Sequence, residues 1–191
     1  MTKPSLILLD MDEVLVDFVG PWLARTRPHI AYDDIMAMDW GKAGNLQSLL
    51  DITSEDFIAE LKLFPPSWWQ GLPWMPGGQE LLKLVVDSGV PWAICSAPSA
   101  CPNSAAGKTH WVADQLGDLG KKKLILVDDK SFLAHPGVIL IDDMLRYTEA
   151  FRQAGGETVI VPRPWNNGTE AEYEAFKETL RSGGFDSSPA G

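Results

Sequence analysis

The stretch SLILLDMDEVLVDF, residues 5–18, runs a series of aliphatic side chains straight into acid. Asp10 and Asp12 stand two positions apart, so in an extended chain both point the same way while Met11 faces the opposite side. Two carboxylates placed like this repel each other unless positive charge lies between them. A hard divalent cation would supply it, and Mg2+ favours a few carboxylates together with waters and a substrate phosphate. Three further segments end in reactive groups: Ser96 closes VPWAICSA, Asp128, Asp129 and Lys130 close KLILVDDK, and Asp142 and Asp143 close VILIDD. In such a setting Lys130 would neutralise a phosphoryl oxygen and hold Asp10, and the Ser96 hydroxyl would donate to another oxygen. Phosphoryl transfer depends on positioning and charge neutralisation more than on elaborate covalent machinery, and this inventory suits it.

Taken singly, each residue has a plainer reading. An acid pair after a strand often caps a turn, a serine there forms one, and a lone lysine is solvated. The order is what points to chemistry: acid-x-acid on the first strand, a hydroxyl on the next core strand, then lysine, then an acid pair about a dozen residues later.

The elements that must gather these residues are legible from periodicity. Besides the opening run, Val90–Ala97, Lys123–Asp129, Val138–Asp143 and Glu157–Pro164 read as short aliphatic strands. Near-continuous apolar runs fit strands covered on both faces, as in a parallel sheet. Helix-like stretches alternate with them (GGQELLKLVVDSG, GKTHWVADQLG, MLRYTEAFRQAGG), and GTEAEYEAFKETLRSGG adds a last amphipathic helix with Thr169 as its N-cap. This alternation predicts an α/β fold, a doubly wound parallel sheet, with ligands beyond the carboxyl ends of the strands. Residues 20–75 break the pattern with LQSLLDITSEDFIAELKLF and the aromatic FPPSWWQGLPWMPGG, which predicts a small helical cap inserted after the first strand. The expected division is therefore a core of residues 1–19 and 76–191 and a cap of residues 20–75. Trp68 and Trp69 are expected in the packing of the cap or its seam with the core, and Trp40 and Trp74 at the pocket.

Composition limits the partners. The 191-residue chain carries a formal charge of −10 and no basic stripe, which argues against long nucleic acid. It has no apolar run of membrane-spanning length and no signal-peptide pattern at its start, so a cytoplasmic protein without membrane association is expected. Cys95 and Cys101, its two cysteines, are expected to be free thiols.

The motifs DMDEV, ICSAP, DDK and LIDD, in that order, resemble the four motifs of the haloacid dehalogenase-like phosphatases. Within them, DMDEVLVDF, CP…GKTHWV…LG, LIDD, VPRPWN and the MPG after the insertion resemble the 5′(3′)-deoxyribonucleotidase family, over roughly residues 5–167. The resemblance implies a Mg2+-dependent phosphatase of (deoxy)nucleoside monophosphates. It implies Asp10 as the nucleophile that becomes a phosphoaspartate and Asp12 as the acid-base. Metal ligands would be Asp10, Asp143 and the Asp12 carbonyl, supported by Asp142. Ser96 and Lys130 would bind phosphate, Phe18 would line the pocket, and Trp40 would stack on the base. A homodimer is compatible with this reading. Two positions depart from the family pattern: Glu13 stands where glycine is usual, and Ala97 where a second hydroxyl is common. Competing expectations are a phosphatase of another small phosphoester such as a sugar phosphate, a receiver-type signalling domain, and a non-catalytic phospho-ligand binder. A receiver domain would carry its phospho-accepting Asp on the third strand and leaves no place for a tryptophan-rich insertion after the first.

Overall fold

The structure, a computed structural model, describes residues 3–38, 45–99, 101–183 and 185. Five short strands, β1 (Leu6–Leu9), β2 (Trp92–Ser96), β3 (Leu124–Leu126), β4 (Val138–Asp142) and β5 (Glu157–Ile160), form one sheet in the order β3-β2-β1-β4-β5. Every pairing is parallel, and Leu8 of β1 lies opposite both Ala93 of β2 and Leu140 of β4. From β1 the chain builds β2 and β3 on one side and then crosses to build β4 and β5 on the other. The switch in direction leaves a crevice above the carboxyl end of β1, where ligands sit in open α/β sheets.

The helices, in chain order, are α1 (Val19–Thr26), α2 (Tyr32–Ala37), α3 (Leu46–Leu49), α4 (Ser54–Lys62), α5 (Pro66–Gln70), α6 (Gly78–Asp87), α7 (Pro102–Leu116), α8 (Leu145–Gln153) and α9 (Glu170–Ser182). Alternate strand residues feed two apolar layers. Ile7, Leu9 and Ile94 pack with Trp111 of α7 and Leu81 of α6, while Leu8, Cys95 and Leu140 pack with Phe151 of α8. The central strands β2 and β4 are buried throughout, as their unbroken apolar runs require. The edge strands β3 and β5 are half-buried and shorter than their sequence runs suggest, because each has a neighbour on one side alone.

Helices α1 to α5 make up the insertion. The chain leaves and returns through a narrow neck: Met75 N donates to Leu15 O at 2.8 Å and Asp17 N to Pro73 O at 3.0 Å. A Cβ on Gly78 would lie 2.9 Å from Leu15 O, so the start of α6 fits against this neck without a side chain. The stretch LQSLLDITSEDFIAELKLF is two helices rather than one. Asp51 takes a left-handed φ of 53°, and Thr53 accepts the Asp56 N–H to start α4 afresh. Helix α5 packs on core helix α7, where Gly107 allows the two backbones to meet; a Cβ there would lie 2.2 Å from Trp69 Cβ. No helix among the described residues is long and apolar enough to cross a membrane.

Candidate active site

The strand ends place the acids. Asp10 directly follows β1 and extends its ladder, donating its N–H to Ile141 O at 2.8 Å. Ser96 ends β2, Asp142 ends β4, and Asp143 comes next, while Lys130 opens a 3-10 turn, Lys130–Leu133, after β3. Asp10, Asp142 and Asp143 each bring a carboxylate oxygen within 4.8 Å of the others, and all three are buried. The fully enclosed Lys130 ammonium bridges two of them, 2.6 Å from Asp10 Oδ1 and 2.5 Å from Asp142 Oδ2, and lies over the Tyr147 ring.

One lysine does not balance three carboxylates. Burial pushes Asp143 well above the usual carboxylate range, Asp142 and Asp10 add to this, and the Trp165 hydrogen bond opposes it. Asp142 is likewise raised, first by burial and then by Asp10, against the pull of Lys130. Lys130 would be lowered by its burial, but its two carboxylate partners outweigh that and raise it.

The oxygen-only cluster fits a hard cation such as Mg2+. Asp142 is already engaged, one oxygen by Lys130 and the other by the Met144 N–H at 2.8 Å, which leaves Asp10 and Asp143 to face an ion. Asp143 is aimed from outside the cluster. Trp165 Nε1 donates to its Oδ2 at 2.7 Å, and Asn166 Nδ2 donates to its main-chain oxygen at 2.8 Å. Such outer partners orient metal-binding carboxylates.

Asp12 has a different partner. Its Oδ2 receives a hydrogen bond from Lys108 Nζ at 2.6 Å, and its Oδ1 is enclosed with no partner among the described residues. Burial raises the Asp12 carboxyl despite the opposing Lys108 charge, and Asp10 pushes it further. Asp10 and Asp12 are thus each held by a lysine of their own, Lys130 and Lys108. Lys108 also donates to Ser96 Oγ at 2.8 Å and to Ala97 O at 3.2 Å. With its oxygen accepting from Lys108, the Ser96 hydroxyl keeps its own proton for an acceptor in the cavity.

In the sequence Lys108 reads as an ordinary solvated helical lysine. Ser104, Gly107, Lys108 and Trp111 form the buried stripe of α7, and a lysine in such a stripe needs an anionic partner.

Above these groups opens a cavity of about 570 Å3, a volume suited to a small molecule. Its floor includes Asp10, Asp12, Ser96 and Asp143, and its cap wall includes Phe18 and Phe57. Phe18 stacks on Trp69, with ring centres 5.6 Å apart and planes 15° apart, and Trp69 also lines the cavity. Ser99 lines it too, with its hydroxyl enclosed and unpartnered among the described residues, two positions after the hydroxyl-less Ala97.

Trp74 is not at the cavity: its ring packs on Trp111 at 4.6 Å and its Nε1 donates to Gln115 Oε1 at 2.9 Å, fixing the neck to α7. The neck backbone, held to Leu15 and Asp17, turns that side chain towards α7. Trp40 lies outside the described residues. Cys95 and Cys101 are buried free thiols.

Known structures share the fold. A HAD-family hydrolase from Deinococcus radiodurans R1, solved with phosphate and sodium bound, aligns over 100% of both chains at 19% identity and a TM-score of 0.54. A dehalogenase solved with an intermediate complex aligns over 88% of this chain and 89% of its own, at 14% identity and a TM-score of 0.53. L-2-haloacid dehalogenase from Xanthobacter autotrophicus aligns over 98% and 85%, at 16% identity and a TM-score of 0.50. No curated protein sequence matches the chain. The family model described as 5′ nucleotidase, deoxy (Pyrimidine), cytosolic type C protein matches residues 4–178, a span that takes in every strand, the insertion and all of the clustered acids. With the fold of the haloacid dehalogenase-like hydrolases and that match across nearly its whole length, the chain belongs to the cytosolic type C 5′-nucleotidase family and is a phosphatase of the 5′-nucleotidase type.

Proposed function

We propose that the protein is a cytoplasmic, Mg2+-dependent enzyme that hydrolyses deoxynucleoside monophosphates through a phosphoaspartate. One observation carries this reading: Asp10, Asp12, Asp143 and Ser96 line the floor of a cavity whose opposite wall is the aromatic cap, and buried Lys108 holds Asp12 and Ser96 from behind that floor. The phosphate would lie on the floor, within reach of the Ser96 hydroxyl, and the nucleoside against Phe18 and its stacked partner Trp69. Stacking on an aromatic face contributes about 1–3 kcal/mol per base and tolerates different bases.

Asp10 attacks phosphorus with one carboxylate oxygen while the ester oxygen leaves, taking the proton of Asp12. Asp12, now ionised, accepts a proton from water as that water attacks the phosphorus of the phosphoaspartate. Inorganic phosphate departs, and Asp10 and Asp12 regain their starting states. Asp10, Asp143 and the Asp12 carbonyl would hold Mg2+, which when bound offsets the repulsion between phosphate and the carboxylates. Lys130, expected to bind phosphate, is fully enclosed between Asp10 and Asp142 and does not line the cavity, so its part would be to hold Asp10 in place, with Asp142 as its second anchor.

Phosphate release from the eight common ribo- and deoxynucleoside monophosphates, with and without Mg2+, tests the proposal. A deoxynucleotide should be the best substrate, turnover should need Mg2+, and Asp10→Asn should abolish it. A sugar phosphate preferred over every nucleotide would overturn the substrate assignment. An Asp10→Asn variant with full turnover would overturn the mechanism.

A further inference from the structure

Glu13, directly after Asp12, has a left-handed backbone with φ 57°, a conformation that is strained for a residue with a side chain. Glycine would adopt it freely, so the side chain must return something. Its carboxylate is nearly enclosed, with 5% of the side chain exposed. Oε1 accepts the N–H groups of Phe18 at 3.1 Å and Val19 at 2.8 Å, the backbone donors at the start of α1. Oε2 accepts the hydroxyl of Tyr32, the first residue of α2, at 3.1 Å. The Glu13 main-chain oxygen accepts from Arg163 twice, from Nε at 3.1 Å and from Nη2 at 2.6 Å. Arg163 belongs to the loop whose Trp165 and Asn166 aim Asp143.

A single residue thus joins the loop of Asp12, the first two cap helices and the loop behind Asp143. We propose that Glu13 is a positioning residue, a latch that holds α1 and α2 over the cavity in the free protein and so sets how well the site takes a substrate long enough to reach the cap. A glycine would leave the Phe18 and Val19 N–H groups and the Tyr32 hydroxyl without this partner, and α1 and α2 would lose their tie to the Asp12 loop. Combined with the fixed seam between α5 and α7, the latch makes the cap a preformed wall. The consequence for substrates rests on the phosphatase reading above, but the consequence for the free protein does not.

The test has two arms, using the full chain and the variants Glu13→Ala, Glu13→Gln and Tyr32→Phe. Amide hydrogen exchange on substrate-free, metal-free protein reads the latch directly. Glu13→Ala should speed exchange across residues 18–26 and 32–37 by about tenfold or more while β1 and β4 keep their rates. Glu13→Gln retains the Oε1 acceptor and should restore the rates at Phe18 and Val19 to within about twofold. Tyr32→Phe, a mild change that keeps the ring, should speed exchange in α2 alone. The second arm compares a deoxynucleoside monophosphate with para-nitrophenyl phosphate, which is too short to need the cap wall. Glu13→Ala should raise KM for the nucleotide about tenfold more than KM for the aryl phosphate. The latch is refuted if exchange rises equally in sheet and cap, if it does not change in any variant, or if both substrates lose affinity alike. Failure of the wild-type protein to hydrolyse any nucleotide would sink the substrate reading, and the exchange arm would still decide the latch.

Discussion

Lys108 Nζ lies 2.6 Å from Asp12 Oδ2, although 96 positions separate the two residues. The side chain crosses from α7 under the loop after β2, and 1% of it is exposed. Two buried lysines therefore share the acids. Lys130 serves Asp10 and Asp142, and Lys108 serves Asp12 and orients Ser96. The separation matters because Asp10 and Asp12 have opposite tasks in the proposed reaction, one ionised and one carrying a proton.

Lys108→Met keeps the volume of the stem and removes the charge. An ionised Asp12 left unpaired would cost about 3–5 kcal/mol. Asp12 already has a raised pKa in the fold, so stability linked to it is present at low pH and is lost as pH rises through the folded value. The variant should therefore lose more stability in urea at about pH 8 than at about pH 5, and its turnover should fall about a hundredfold or more. Equal losses at both pH values would show that Asp12 does not depend on Lys108 for its charge state.

Trp165→Phe retains an apolar ring beside the site and deletes the donor that holds Asp143 Oδ2 at 2.7 Å. Loss of an outer partner of a metal ligand lowers metal affinity by about 10–100-fold. Calorimetric titration with Mg2+ should show that weakening, and saturating Mg2+ should recover most of the turnover. Unchanged Mg2+ affinity would mean that Asn166 and the backbone alone aim Asp143.

Much of this arrangement is visible in the chain before any coordinates. Buried parallel strands read as aliphatic runs, and the acids at their ends must converge because all five strands point the same way. That logic brings Asp10, Asp142 and Asp143 together from three separate segments. Residues whose roles depend on one contact across the fold are harder to read. Lys108 lies on a helix, and its burial follows from how α7 packs. Glu13 reads as a misfit for glycine, yet its strained backbone is held by partners from positions 18, 19, 32 and 163. Trp69 and Trp74 are alike in sequence context. The neck turns Trp74 towards α7, whereas the α5 seam puts Trp69 at both the packing and the cavity wall.

Gly107→Ala tests whether the seam between α5 and α7 positions the cap. In most helix interiors this change stabilises by about 1 kcal/mol. Here the new Cβ would meet Trp69 Cβ at 2.2 Å and Pro66 O at 2.6 Å, and neither can give way without moving α5. The expected result is a loss of about 1–3 kcal/mol in urea unfolding, the usual scale of overpacking. Nucleotide KM should rise more than kcat falls, because Trp69 supports the cavity wall while the acids stay with the sheet. A stabilised variant with wild-type KM would show that the cap does not depend on this seam.

Mg2+ binding should release protons. In the metal-free fold burial raises Asp143 and Asp142, the latter to about 7, and the proximity of the acids reinforces both. A cation binds the ionised carboxylates, so at pH below the raised values it must displace protons. Raising the pH through them removes those protons beforehand and weakens the metal-free fold, since a carboxyl raised on folding stabilises at low pH and loses that contribution above its folded pKa. Mg2+ affinity and the thermal stabilisation by Mg2+ should therefore both increase between about pH 6 and pH 8. Calorimetry in buffers of different ionisation heat reads the released protons, and thermal unfolding with and without Mg2+ reads the stabilisation. Asp143→Asn should diminish both the proton release and the gain in unfolding temperature. Binding without proton release at the lower pH, or an Asp143→Asn variant that still takes up Mg2+ like the wild type, would place the cation away from the Asp10, Asp142 and Asp143 cluster.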